Sequence, residues 1–373
     1  MDKRDKIKIL YTIPNFDTAG SGKVVYDLVK GLNKSLYEVE LACSSNRGTF
    51  FKEMESLGVP IHIVDTTTAY RPYHTLLPRI DSIRKFIKKN KYDIVHSWHW
   101  SSDWTEALAT RLAGAKWIYT KKAMSWGNRH WKIRSYLANF IITINEEMHH
   151  YFPYKKNQML IPLGIDTDFY SSKHFAEKAN NAEVFNIITV ANLVPVKGIE
   201  VLIRAVKRLN DSSIRLVVLG DNTNEYGHYL TKLCNNLKMQ NQVKFLGKKP
   251  DVRPYIAESD LYVIPTLNEG RKEGMPMALV EAMSMGIPVL GSNISGINYV
   301  LKDYKYLLFE AGNEKELVKS ISKILKLSVE ERLKLGNQLR EYLKDNFNYA
   351  KFILEHEKLY QKLNSSYNST NNY

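Results

Sequence analysis

The 373-residue sequence has only two cysteines, Cys43 and Cys234, far apart and with no CxxC pattern or neighbouring histidine. That scarcity excludes a disulfide framework and the usual structural zinc knuckles, and it fits a reducing cytoplasm. Long apolar runs are also missing. The first one, IKILYTI after MDKRDK, ends at Pro14, too short and too polar for a spanning helix or a secretory segment. The polar bulk of a disordered chain is absent too, since 44% of residues are hydrophobic and 25% charged, and the length favours two domains over one. Negative charge is in short supply: 39 acidic residues against 53 basic ones leave +14. Such a balance favours an anionic partner, whether a phosphate ligand, an anionic bilayer or a nucleic acid. The dispersal of the basic residues and the lack of an RNA-binding signature argue against the last.

What is present is alternation. IKILYTI, Val24 to Leu32, YEVELAC, Phe51 to Leu57 and IHIVD alternate short apolar runs with amphipathic ones, and DIVHSW, KWIYT and FIITIN continue the strands. This order predicts repeated β-α-β units around a parallel sheet. The polar stretch from Asp166 to Ala182 has no apolar period and predicts a linker. A second series follows in FNIITVANL, IRLVVLG, VKFLG, DLYVIPT and IPVLGS. The expected architecture is α/β: two doubly wound, Rossmann-like domains facing each other across a cleft, with ligands at the carboxyl ends of the strands. Boundaries fall at 1–170 for the first domain, 171–182 for the linker and 183–345 for the second domain. A helix over 346–363 is expected to pack back toward the first domain, and residues 364–373 form a disordered tail. In Pro78 to Lys91, Ile80, Ile83 and Ile87 recur at helical spacing while Arg79, Arg84, Lys85, Lys88 and Lys89 fall largely elsewhere. That pattern reads as a helix packed on a sheet with a solvated basic face, or as a contact with an anionic membrane.

The densest chemistry lies in NEGRKEGMPMALVEAMSMGIPVLGSNISG, Asn268 to Gly296, where Glu273 and Glu281 stand eight positions apart and Gly274 and Pro276 open a helix. Free N–H groups of a first helical turn stabilise an anion, and a carboxylate in the second turn reaches hydroxyls beside it. Taken alone, the spacing also fits a helix N-terminus carrying two exposed carboxylates. The stretch EGMPMALVEAMSMGIPV resembles the Glu-x7-Glu signature of glycosyltransferase family 4, a retaining family with the GT-B fold. The resemblance implies that Glu281 holds the ribose hydroxyls of a nucleotide sugar donor. It also implies that Glu273 lies beside the transferred sugar and that the amides of Gly274 and Met275 approach the sugar or the phosphates.

Two further segments carry the same resemblance. VANLVPVKGIEVLIRAVKRL is similar to the family's G-R-L-x-x-x-K-G piece, with Lys197 and Gly198 at the matching positions and Asn192 where the family has arginine. A lysine before a helix is a compact charge suited to a leaving diphosphate. Asn192 adds a hydrogen bond but no charge, so phosphate binding is expected to be either weaker or shared with Arg271 or Lys272. TIPNFDTAGSGKVVYDLVKGL is similar to the N-terminal glycine-rich loop, which puts Gly20, Ser21 and Gly22 near the donor phosphates or the acceptor. A P-loop reading of GSGK fails because Asp17 stands where the first glycine belongs and Val24 where the magnesium-binding hydroxyl belongs. Asp166 and Asp168 look like a D-x-D metal site, but the family's N-G-I-D turn explains them better, although Leu163 replaces the asparagine.

On the acceptor or sugar side, Lys121 and Lys122 occupy the strand end where relatives often carry a histidine, and Trp126 follows them. The two lysines contact a phosphate or form a solvated pair. His96 and His99, at the end of the preceding strand, are either sugar-side groups or satisfied histidines. Acceptor choice is expected in the loops Thr66 to His74 and Met124 to Arg134, whose aromatic and basic residues suit a sugar or a phosphate. The expected activity is transfer of a hexosyl or N-acetylhexosaminyl group, with retention, from a nucleotide diphosphate sugar to a glycan, glycolipid or lipid-linked acceptor in cell-surface polysaccharide synthesis. No metal and no further cofactor is expected, and the place is the cytoplasm, at the inner face of the membrane. A nucleotide-sugar epimerase or hydrolase is the alternative enzyme, and a basic nucleic-acid-binding protein the alternative from another class.

Overall fold

A computed structural model of the chain describes residues 6–16, 19–48, 50–124, 126–175, 184–270 and 274–368. The chain divides into two compact units, one running to Leu163 and resuming at Ala350, the other Gly164–Tyr349.

The first unit is built on β1 (Ile7–Ile13), β2 (Tyr37–Cys43), β3 (Ile61–Ile63), β4 (Ile94–Ser97), β5 (Lys116–Lys121), β6 (Phe140–Thr143) and β7 (Gln158–Leu160). They pair in the order β3-β2-β1-β4-β5-β6-β7, every pair parallel. Runs such as IVHS and FIIT are buried at every position, as strands covered by helices on both faces must be. Helix Leu76–Lys89 buries Ile80, Ile83 and Ile87 in the same core as Val95 and Trp117. Its apolar stripe is therefore used up inside the protein, and Arg84 and Lys85 share Asp81 at 2.6 and 3.0 Å.

The second unit repeats the plan with β8 (Phe185–Val190), β9 (Ile214–Leu219), β10 (Val243–Phe245), β11 (Leu261–Ile264), β12 (Val289–Ser292) and β13 (Leu308–Phe309), ordered β10-β9-β8-β11-β12-β13 and again all parallel. Helix Ile199–Leu209 shows why it docks on this sheet: Ile199, Leu202, Ile203 and Val206 are buried at helical spacing.

The boundaries differ from those expected. The division falls at Leu163, not at 170, because residues 166–174 are folded into the second unit: Arg340 donates to Thr167 O (2.7 Å) and Tyr170 O (2.9 Å), and Ser284 Oγ donates to Tyr170 O (2.9 Å). Polar composition there reflects carbonyls bound by side chains from afar; the rest of the expected linker, from 176 on, lies outside the described residues. The last helix runs Tyr349–Asn368, so the polar tail is helical for five residues more than its composition implied, and 369–373 lie outside the described residues. Within the first unit this helix buries Phe352, Ile353, His356, Leu359, Tyr360 and Leu363. Among the described residues no helix is long and apolar enough to cross a membrane.

Candidate active site

In the second sheet the strand order reverses between β8 and β11, which pair directly through Leu261 with Ile187 and Tyr262 with Ile188. Loops leaving neighbouring strands at such a point diverge to opposite faces and open a crevice at their carboxyl ends. The β8 loop runs through Asn192, exposed, and Leu193, fully buried as an anchor, into one 3-10 turn, Pro195–Lys197. Gly198 then takes a left-handed φ of 62° and starts helix Ile199–Leu209. A Cβ on Gly198 would lie 2.3 Å from Pro265 O, and Leu267 N–H donates to Val196 O at 2.8 Å, so the turn carrying Lys197 is clamped to the backbone leaving β11. We expect Gly198→Ala to cost about 1–3 kcal/mol of stability, read as a lower melting temperature, because alanine meets both the positive φ and the carbonyl.

The β11 loop leads to Gly274 and Met275, both buried, and to helix Met277–Ser284, preceded by Pro276. Glu281 lies one turn into this helix and is half-buried. Glu273, Arg271 and Lys272 lie outside the described residues. Thr266, just past β11, is 2% exposed, and its Oγ1 has no partner among the described residues. Sequence reading missed it, since a lone threonine after a strand carries no pattern. Lys197 and Gly198 thus lie on the loop after β8 and the first turn of helix Met277–Ser284 follows the loop after β11, the two strands that adjoin at the switch point. Asp166 is engaged in a turn, its Oδ1 accepting from Asp168 N and Phe169 N at 3.0 Å each. Among the described residues no three His, Cys, Asp or Glu side chains gather as a metal site would require.

The corresponding switch point of the first sheet lies between β1 and β4. Gly20, Ser21 and Gly22 are not in a loop, as the glycine pattern implied, but in the first turn of helix Ala19–Gly31. Glycine at 22 reflects packing, since a Cβ there would sit 3.1 Å from the Phe16 ring. Lys122, leaving β5, donates to Ser21 Oγ at 2.9 Å and to Trp98 O, and lies 5.6 Å from the ring centres of Trp98 and Trp100. One cation therefore joins the exits of β1, β4 and β5.

Three expected acceptor-side residues are placed elsewhere. His96 is fully buried within β4, with Nδ1 2.8 Å from Tyr360 Oη and Nε2 2.8 Å from Thr120 Oγ1, so neither ring nitrogen is left for a sugar. Burial holds its pKa well below the ordinary value, with His356 and Lys122 adding to the effect. Lys121 is 1% exposed, its Nζ 3.7 Å from the Trp131 ring centre, a cation–π contact inside the core. Trp126 stacks on Tyr151 (5.7 Å between centres, 15°) and meets Phe152 edge-on, so it packs against the core. His99 is buried as well, its Nε2 3.7 Å from Glu106, with burial lowering its pKa to about 4 against the pull of that carboxylate. Arg134, fully buried, donates to Asp103 O, to Ser97 Oγ at 3.2 Å and to His99 O at 3.4 Å, which fixes the loop after β4.

Comparison with known proteins matches residues 18–169 to the family described as Glycosyltransferase Family 4 and residues 171–342 to Glycosyl transferases group 1. The chain is 24% identical to the capsular polysaccharide biosynthesis glycosyltransferase CapH of Staphylococcus aureus, over 81% of this chain and 86% of that one. It is 26% identical to the O-antigen biosynthesis glycosyltransferase WclY of Escherichia coli, over 65% of this chain and 66% of that one. Two of the curated relatives are matched over only 50% and 66% of their own lengths. Among solved structures, a glycosyltransferase from Rickettsia africae ESF-5 superposes with a TM-score of 0.83 at 19% identity, covering 96% of this chain and 99% of that one. Anabaena Alr3699/HepE in complex with UDP and glucose gives 0.80 at 18%, covering 95% and 99%. The two Rossmann-like units are those of the GT-B fold.

Proposed function

Because the chain belongs to the group 1 glycosyltransferases of family 4, we propose that it moves a hexosyl or N-acetylhexosaminyl group, with retention, from a nucleotide diphosphate sugar to a glycan, glycolipid or lipid-linked acceptor of cell-surface polysaccharide synthesis. The observation that carries the donor assignment is that Lys197 follows β8 and helix Met277–Ser284 follows β11, the two strands that pair at the switch point. A fixed cation and first-turn amides neutralise charge as it grows on a leaving diphosphate, which supports transfer without a metal or further cofactor. Glu281, a turn further on, takes the ribose hydroxyls, and Asn192 lends a hydrogen bond at the β8 exit. Thr266 supports the same reading, since a buried hydroxyl without a partner costs about 1–3 kcal/mol that a donor oxygen would recover. Glu273 is assigned as a sugar-positioning group, and the acceptor hydroxyl attacks on the face from which the diphosphate leaves.

The place of action is the cytoplasm, at the inner face of the membrane. A bilayer contact through residues 78–91 would be one of charge alone, carried by exposed Lys85, Lys88 and Lys89, because the isoleucines of that helix are buried. The test is a melting and turnover screen against UDP-, GDP-, ADP- and CMP-sugars with and without EDTA. One donor should raise the melting temperature, and release of its nucleotide should be insensitive to EDTA. The UDP and glucose held by the Anabaena neighbour make uridine diphosphate sugars the first to try. Absence of any response, or loss of turnover with EDTA, would overturn the donor assignment or its metal independence respectively.

A further inference from the structure

Arg79 sits in the first turn of helix Leu76–Lys89, where a positive charge opposes the helix dipole. Its side chain turns back into the preceding loop. Nε donates to Thr75 O (3.2 Å), Nη1 to Thr68 Oγ1 (2.9 Å) and Ala69 O (2.6 Å), and Nη2 to Pro72 O (2.9 Å). Thr68 N–H is held in turn by Thr105 Oγ1 at 3.0 Å, and Thr105 donates to Asp103 at 2.7 Å. A loop tied at so many points is a rigid support, and it presents Tyr70, Arg71 and Tyr73.

Tyr70 lies flat over a floor of two rings, with Trp104 at 5.4 Å and 13° and His130 at 4.7 Å and 6°. Trp104 Nε1 donates to His130 Nδ1 at 3.1 Å, so the floor is joined edge to edge. Together with Arg71, Tyr73 and Arg129 these residues line a cavity of about 430 Å³, within the size range of small-ligand sites. Tyr73 is 68% exposed, and the Arg71 guanidinium is 5.8 Å from its ring centre. Among the described residues neither Arg71 nor Arg129 has a carboxylate within ion-pair distance. The cavity lies at the carboxyl edge of the first sheet, where the loops after β3, β4 and β5 converge.

We propose that this pocket takes a sugar of the acceptor and that this sugar is anionic, a hexose bearing a carboxylate or a phosphate. The inference rests on the transferase reading above. The C–H face of a pyranose packs on an aromatic ring, and planar guanidinium groups grip a carboxylate or phosphate through paired hydrogen bonds. A neutral sugar offers two unneutralised arginines hydroxyl acceptors but no opposite charge. Arg79 is a positioning residue, holding the loop without touching the ligand.

The experiment uses the full chain. All six tryptophans belong to the first unit, so their fluorescence reports on this pocket's unit alone. Three probes are titrated, methyl glucuronide, methyl glucoside 6-phosphate and methyl glucoside, against wild type and the double variant Arg71→Ala/Arg129→Ala, with saturation-transfer NMR as a second readout. At least one anionic probe should bind about tenfold more tightly than the neutral one, and the double variant should lose that preference, its affinity for the anionic probe falling further than its affinity for methyl glucoside. Response to the glucuronide alone assigns a carboxylated acceptor, and response to the phosphate alone a phosphorylated one. Equal affinity for all three probes, or a preference that survives in the double variant, would sink the proposal. So would a wild type that binds phosphatidylglycerol vesicles through these arginines and no soluble probe. If the double variant melts early, Arg129→Gln replaces it. Melting with nucleotide sugars on the same samples separates the two readings: the double variant should keep the donor response, and a wild type without one fails as a transferase whatever its pocket binds.

Discussion

Replacing Lys197 by alanine is expected to lower turnover with the cognate nucleotide sugar about a hundredfold, equivalent to ~2.7 kcal/mol of lost transition-state stabilisation. The size follows from the donor assignment proposed above. A diphosphate gains negative charge as the glycosidic bond breaks, and a cation fixed in advance stabilises that gain without reorganising when the reaction occurs. Lys197 is fixed in advance: its 3-10 turn is bounded by buried Leu193 on one side and by Gly198, held against Pro265 O, on the other. The loss should fall mainly on kcat, because the charge it meets is larger in the transition state than in the bound donor. Arginine at the position should restore only part of the rate, since a broad planar group does not reproduce a compact ammonium in a rigid turn. The variant should melt as the wild type does. Near-normal turnover in a folded Lys197→Ala protein would remove the lysine from the mechanism and leave the helix N-terminus as the main electrostatic device.

How much of this was legible in the sequence depends on the distance over which each feature is decided. The strands were legible because a parallel strand covered on both faces must be apolar throughout, and runs such as LYVI and FIIT satisfy that locally. Lys197 and Gly198 were legible because turn, glycine and helix start are contiguous. The pairing of Lys122 with Ser21 was not, since the two are 101 residues apart and meet only because β1, β4 and β5 are neighbours in the sheet. His96 and Lys121 each left two readings open for a related reason, and the structure bears out the satisfied histidine. A polar residue at the end of a strand faces either the crevice or a neighbour, and the neighbours that decide it here, Tyr360 and Trp131, come from helices remote in sequence or separated by a loop. Arg79 carried a faint local signal, a positive charge in a first helical turn, but its charge pattern alone placed it with the solvated lysines. The polar stretch at 166–174 was misread because its backbone carbonyls are claimed by Arg340, Arg253 and Ser284, and composition does not show who binds a carbonyl.

The first unit should lose stability steeply below pH 6.5, and three buried histidines set the direction. Burial pushes His96 well below its ordinary value, His356 down to about 4 with Phe352 O accepting from Nδ1 at 2.8 Å, and His99 down to about 4 despite Glu106. The groups facing them are few: Tyr11, Tyr360, His356 and Lys122 around His96, Tyr360 and Glu355 around His356, and Glu106, Arg134, Asp65, Lys122 and the Thr66 hydroxyl around His99. In the unfolded chain each histidine titrates near 6.5. Between that value and the depressed folded value the unfolded chain binds protons that the folded one does not, so stability falls as pH falls through this window and is unaffected by these groups above it. At pH 5 the loss is on the order of 2 kcal/mol for each of His99 and His356, and His96 acts in the same direction. The measurement is urea unfolding followed by tryptophan fluorescence at pH 7.5, 6.5, 5.5 and 5.0, on wild type and on His356→Leu. His356 is the position to change because its Nε2 is buried with no partner among the described residues, so leucine forfeits only one hydrogen bond to a backbone carbonyl. The variant's stability at pH 7.5 does not decide the matter; its slope does. Removing His356 should reduce the fall between pH 7.5 and 5 by about 2 kcal/mol, and a fall unchanged from wild type would mean that His356 titrates in the folded protein as it does in the unfolded chain.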